Sequence, residues 1–186
     1  MSPEWLTAIG TLGTFIVIAT SAAAALVQLR HMRSSNQIAA LNEVRKRVES
    51  PEFQNFVRMA RRLPELFADS EIRKQLIAPE FEFSQEYQWV LVLIYFYEHL
   101  GVLVKNGVID RDVACDTWAE PLLAYWPALA PVIANRRAAL NQPNLWANFE
   151  YFATVCRDWI ERHPDGAYPS GAPRMPMPAL WPETKP

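Results

Sequence analysis

The sequence predicts an all-α protein: a single N-terminal transmembrane helix, a cytoplasmic helical bundle-like domain, and an extended Pro-rich tail. Three observations carry that prediction. Residues 5–29 form a 25-residue stretch without a charge, longer than the roughly 20 residues that cross a bilayer core. The apolar residues beyond it recur at steps of three and four, the period of helices with one buried face. Seven of the 15 prolines fall in the last 23 residues, a density that excludes helix and central strand. The expected boundaries are 1–33 for the anchor, with the span at about residues 6–28, then 34–163 for the domain and 164–186 for the tail.

The span comes first. Nine of residues 6–27 are Leu, Ile, Phe or Val, which on the insertion scale gives roughly −3 to −5 kcal/mol before small and hydroxyl residues subtract from it. A buried core helix of this length carries a charged or amide face, and this segment has none. A signal peptide opens on Lys or Arg, whereas this chain opens Met-Ser-Pro-Glu. Arg30, His31 and Arg33 follow the span and only Glu4 precedes it. The positive-inside rule therefore predicts an outside N-terminus and a cytoplasmic domain. Trp5 is placed at the outer interface, and Arg30 and Arg33 at the inner one. Gly10, Gly13, Thr14 and Ala24 are small residues suited to close helix packing, without a strict GxxxG. In a reducing cytoplasm Cys115 and Cys156 are free thiols; in the reverse orientation they could pair.

No Gly or Pro lies between Thr14 and Ser50, so the membrane helix is expected to continue to Ser50-Pro51, with Ser34-Ser35-Asn36 the one place it could break. Ile38, Leu41, Val44 and Val48 give that continuation one apolar stripe. Ser50 as N-cap, Pro51 and Glu52 open a second helix with Phe53, Phe56, Val57, Ala60 and Leu63 on its apolar face, ended or bent by Pro64. An irregular stretch containing Asp69-Ser70 and Pro79 follows. Residues 85–105 read as the central buried helix. Its apolar run, 89–97, is about half a span and is closed by Glu98 and His99. A buried strand is the alternative. Asn106-Gly107 ends this helix with a left-handed cap, and Asp110 opens the next, carrying Val113, Trp118, Leu122, Leu123 and Trp126. Pro121, Pro127 and Pro131 are expected to cut the region into short turns. A short helix over 134–141 would then hold Arg136 and Arg137 on its outer face. The last helix places Leu145, Phe149, Phe152, Cys156 and Trp159 at steps of four, three, four and three, and is expected to pack on the central helix. In the tail, Pro173-Arg-Met-Pro176 has the PxxP spacing.

Composition narrows the chemistry. The chain has 186 residues, net charge −2 and 51% hydrophobic residues, ample for a core. Its two cysteines exclude a disulfide scaffold. Residues 30–62 hold eight Lys or Arg against three acids, but Arg45, Lys46 and Arg47 lie roughly 22 Å beyond Arg30 on a continuous helix. That exceeds a screening length of about 8 Å, so only Arg30 and Arg33 meet lipid charge and the other cations form a solvated face. Trp118, Trp126, Trp146 and Trp159 read as core, and without basic interleaving no nucleic acid is expected as partner. No phosphate-cradling glycine loop, H-E-x-x-H, C-x-x-C or G-x-S-x-G occurs, so no catalytic residue, metal or cofactor is expected. The pocket candidates are Glu98, His99 and Asp112. Glu98 and His99, adjacent on a helix, point about 100° apart. Asp112 and Asp116 share a face, either as a hard-metal pair or as partners of a helix dipole. Cys115 has no neighbouring base or cation in sequence and reads as inert.

The opening Pro3-Glu-Trp-Leu-Thr-Ala-Ile-Gly10, the exit Gln28-Leu-Arg-His-Met-Arg33, and the later Phe96-Tyr-Glu-His-Leu-Gly101 and Gly107-Val-Ile-Asp110 resemble a family of uncharacterised bacterial proteins. In that family one N-terminal membrane helix precedes a cytoplasmic helical domain of unknown function. The likeness covers about residues 1–162. It implies a single-pass topology in a bacterial inner (plasma) membrane and supplies no catalytic residues. The function expected is a non-enzymatic scaffold, sensor or interaction protein. Its partners would be membrane lipid, further copies of itself, and a protein held by the helical domain or tail. One alternative is an oligomerising membrane-active effector lined by Thr7, Thr11, Thr14 and Ser21. The other is a small-ligand or metal-dependent pocket around Glu98, His99 and Asp112.

Overall fold

A computed structural model describes residues 3–77, 87–164, 166, 168 and 171–176, and among these every regular element is helical. Helix α1 runs unbroken over Pro3–Glu49, 47 residues, or about 70 Å at the usual rise. Ser34, Ser35 and Asn36 do not interrupt it, since none of them removes a backbone donor. Its apolar half is long and apolar enough to cross a membrane by length and composition, and its most apolar 18 residues are not buried within the protein. Its far end joins the core through Val44, which is buried, and through Ala40, Leu41 and Val48, which are half-buried. Ile38 faces solvent instead, 57% exposed.

Helix α2, Pro51–Ala60, starts where Ser50 Oγ accepts the Phe53 N–H at 3.2 Å and proline fills the first turn. It buries Phe53 and Ala60. Pro64 does not end it: it sits in the first turn of the short α3, Leu63–Leu66. The stretch expected to be irregular contains a further helix, α4, Ser70–Ile77. Asp69 Oδ1 accepts the Glu71 N–H at 2.8 Å, a start signal that compensates for α4's weak apolar pattern. Pro79 lies outside the described residues.

Helix α5 spans Gln88–Lys105 and buries Val90, Leu93, Ile94 and Leu100 completely. The nine-residue apolar run is therefore helical. Its C-terminus closes as a Schellman motif: Val108 N–H reaches Leu103 O at 2.9 Å, Gly107 N–H reaches Val104 O at 3.1 Å, and Gly107 takes φ +66°.

Helix α6 corrects the largest expectation. Arg111–Leu140 is one continuous 30-residue helix that contains Pro121, Pro127 and Pro131. Asp110 caps it, accepting the N–H groups of Asp112 and Val113 at 2.9 and 3.2 Å. An interior proline costs about 3 kcal/mol, yet all three rings lie on the exposed side. The opposite side buries eight residues, including Trp118, Leu122, Leu129 and Ile133, each large side chain contributing roughly 1.5–3 kcal/mol. Burial outweighs the lost backbone bonds. Residues 134–141 are the end of this helix, stopped by Asn141 in the left-handed region. Arg137 does not face outward: its side chain is 20% exposed and donates to Leu145 O at 2.8 Å and Glu150 Oε2 at 2.6 Å.

Helix α7, Ala147–Arg162, packs most extensively on α5 and next on α6. Phe149, Phe152 and Cys156 on it are fully buried. Tyr97 stacks on Phe149 with ring centroids 5.2 Å apart, and Trp126 meets the same ring edge-on at 5.1 Å. Beyond α7, residues 171–176 are exposed and without regular structure, and the Tyr168 hydroxyl donates to Pro173 O at 2.8 Å. Most of the tail's remaining residues lie outside the described ones.

Candidate functional site

The junction of α5 and α7 uses the polar end of the apolar run. Glu98 accepts the Asn148 amide at 2.6 Å and the Phe149 N–H at 2.8 Å. Phe149 is the third residue of α7, whose N-cap Trp146 (φ +53°) supplies no side-chain acceptor. Glu98 fills that role from another helix, with its negative charge at the positive end of the α7 dipole. Gly101, one turn on, allows the approach. A Cβ built there would lie 2.5 Å from the Asn148 carbonyl carbon and closer still to its oxygen. Gly101 is not among the expected site residues; its one mark in the sequence is that a glycine inside an apolar helix signals close backbone approach.

Glu98, His99 and Asp112 do not converge. His99 is exposed on α5 and lines a cleft of about 500 Å³ between α1 and α5, with Ala40, Glu43, Arg47, Tyr95 and Phe96. Neither Glu98 nor Asp112 contributes to that cleft. Asp112 and Asp116 are exposed on the first turns of α6. Among the described residues no three His, Cys, Asp or Glu side chains cluster as metal ligands. A second cleft, about 530 Å³, lies between the α3–α4 region and α6, lined by Phe67, Arg73, Pro127, Pro131 and Asn135. Arg73 there already donates to the Phe67 and Ala68 carbonyls at 2.6 and 2.7 Å.

Folding also brings two thiols together. Cys115 on α6 and Cys156 on α7 are free and buried, with sulfurs 3.7 Å apart. The hydrogen bond with Cys156 holds the Cys115 thiol below its ordinary range, opposed by burial and Asp112 and assisted by Arg111 and Arg162. The same contact, with burial, pushes Cys156 up. The cations and the donor that sequence neighbours lacked come from other turns and another helix.

On the apolar half of α1, Trp5 is 66% exposed, and Gly10, Gly13, Thr14, Ala24, Arg30 and Arg33 are exposed as well. A Cβ at Gly10 or Gly13 would meet nothing within 4 Å. The hydroxyls of Thr7, Thr11 and Thr14 each donate to the carbonyl four residues back, at 2.9–3.1 Å.

A long apolar helix continuous with a compact α-helical domain, without a clustered catalytic constellation among the described residues, defines the class. A family model described as "Domain of unknown function (DUF4760)" matches residues 15–159. The chain belongs to that family. Comparison with curated proteins and with solved structures finds no match.

Proposed function

We propose that this protein is a single-pass, membrane-anchored helical scaffold, sensor or interaction module without enzymatic activity. The observation that carries the reading is α1. Leu12, Phe15, Ile16, Val17, Ile18 and Leu26 are each 52–68% exposed on it, while Val44 on the same unbroken helix is buried in the domain. Apolar surface on that scale is stable only out of water, and a bilayer is the environment a helix of that length fits. The apolar segment and the part of α1 that packs on the domain share one rod.

Arg30 and Arg33 after the span support a cytoplasmic domain and an outside N-terminus, by the positive-inside rule. The resemblance to a bacterial family favours the inner membrane. Trp5 and the two arginines hold the interfaces, and Gly10, Gly13, Thr14 and Ala24 provide the face for self-association. Lipid and a second copy of the chain are the first partners, with a further protein on the helical domain. Because the Thr7, Thr11 and Thr14 hydroxyls already spend their protons on α1's own carbonyls, they supply a packing face more readily than a polar lining.

Light scattering of the detergent-solubilised full chain beside a chain beginning at Ser34 tests this. Assembly of the full chain alone supports the reading. Two monomers would remove self-association and leave an anchored domain awaiting another partner. Recovery of the full chain in the aqueous fraction without detergent would overturn the anchor.

A further inference from the structure

Residues 115 and 156 are 41 positions apart in the chain, yet their sulfurs touch at 3.7 Å across the α6–α7 contact. Both side chains are buried, at 1% and 0% exposure. A core needs small apolar groups at such positions; alanine or valine would fill them without presenting two oxidisable atoms to each other. We propose that Cys115 and Cys156 form a dithiol–disulfide site, oxidised by a hydroperoxide and reversed by thiols, that clamps α6 to α7.

The geometry allows the bond. A disulfide measures about 2.05 Å between sulfurs, so closure asks for an approach of roughly 1.7 Å, within the range of two χ1 adjustments and a small helix shift. Cys115 is the attacking sulfur, because the contact with Cys156, then Arg111 and Arg162, favour its thiolate against the opposition of burial and Asp112. Its lone pair attacks one peroxide oxygen and the O–O bond breaks. One oxygen leaves with a proton as alcohol, or as water when the oxidant is hydrogen peroxide. The Cys115 sulfenic acid that remains is attacked by Cys156. The S–S bond forms, the S–O bond breaks, and the hydroxyl leaves as water with the Cys156 proton. Two thiols lose two electrons and two protons, and the peroxide gains both.

The test uses the full chain in detergent with hydrogen peroxide as the probe, read by intact mass, peptide mapping and thermal unfolding. The expected product is about 2 Da lighter, carries one 115–156 linked peptide, and reverts with dithiothreitol. Its unfolding midpoint rises by roughly 10 °C, because the cross-link closes a long loop in the unfolded chain. C115S and C156S each abolish the mass loss and leave one thiol to take up oxygen. The unmodified chain alone decides the matter if either variant fails to fold. Thiols that resist peroxide until the chain unfolds would overturn the proposal. Oxygen addition without the mass loss, or a disulfide only between chains, would do the same.

Discussion

Replacing Gly101 with alanine separates helix propensity from packing. In an exposed helix the change stabilises by about 1 kcal/mol. Here the new Cβ would sit 2.5 Å from the Asn148 carbonyl carbon and 3.0 Å from the Asn148 Cβ. Ordinary carbon contacts begin near 3.5 Å, so the start of α7 has to retreat by about 1 Å. Both obstructing atoms at the carbonyl belong to backbone, which cannot rotate away. Overpacking of this kind costs about 1–3 kcal/mol. The retreat also stretches the two bonds from Asn148 and Phe149 to Glu98, a loss of about 2 kcal/mol for a half-buried carboxylate. Against the propensity gain the net loss is about 3 kcal/mol, or roughly 10 °C in the midpoint for a chain of this size. Circular dichroism of the detergent-solubilised chain during heating measures it. A Gly101→Ala chain as stable as its parent would refute the close approach of α5 and α7.

Other substitutions probe separate parts of the argument. Glu98→Gln keeps the shape of the α7 cap but removes its charge, and is expected to lower stability by about 1–2 kcal/mol in denaturant unfolding. Asp110→Ala strips the α6 N-cap, at about 1 kcal/mol by the same measurement. Pro121→Ala restores a backbone donor at an exposed helix position and is expected to raise stability by about 1–3 kcal/mol; a fall would show that the proline shapes α6. Burial, then the neighbouring Tyr125 and Cys156, pushes the Tyr97 phenol above its ordinary 10.0. A raised folded value means the contribution is complete below pH 10.0 and is lost above it. Stability should therefore fall as pH climbs past that point, with phenolate absorbance from Tyr97 appearing only as the chain unfolds. Tyr97→Phe should flatten that fall.

The caps were legible in the sequence because their chemistry is local. Ser50, Asp110 and Gly107 act within three residues of themselves. The α7 stripe was legible from Phe149 on, since helical spacing alone puts Phe149, Phe152, Cys156 and Trp159 on one side and all four are buried; Leu145, expected on the same helix, stands in the turn before it and is half-buried. The α4 helix is hard to see in the sequence because its start signal, Asp69, stands before a segment of mixed polarity. The prolines of α6 mislead because which side of a helix is covered is a tertiary property, absent from the spacing.

What the sequence by itself determined was the all-α class, the apolar α1 segment and the starts of α2 and α6, all written in spacing and in side chains that bond their own neighbours. Only the tertiary structure decided that α6 survives three prolines, that Glu98 caps α7 and that Gly101 sits against Asn148. It alone joined Cys115 to Cys156. Each of these depends on groups tens of residues apart, whose meeting is set by how buried faces pack together.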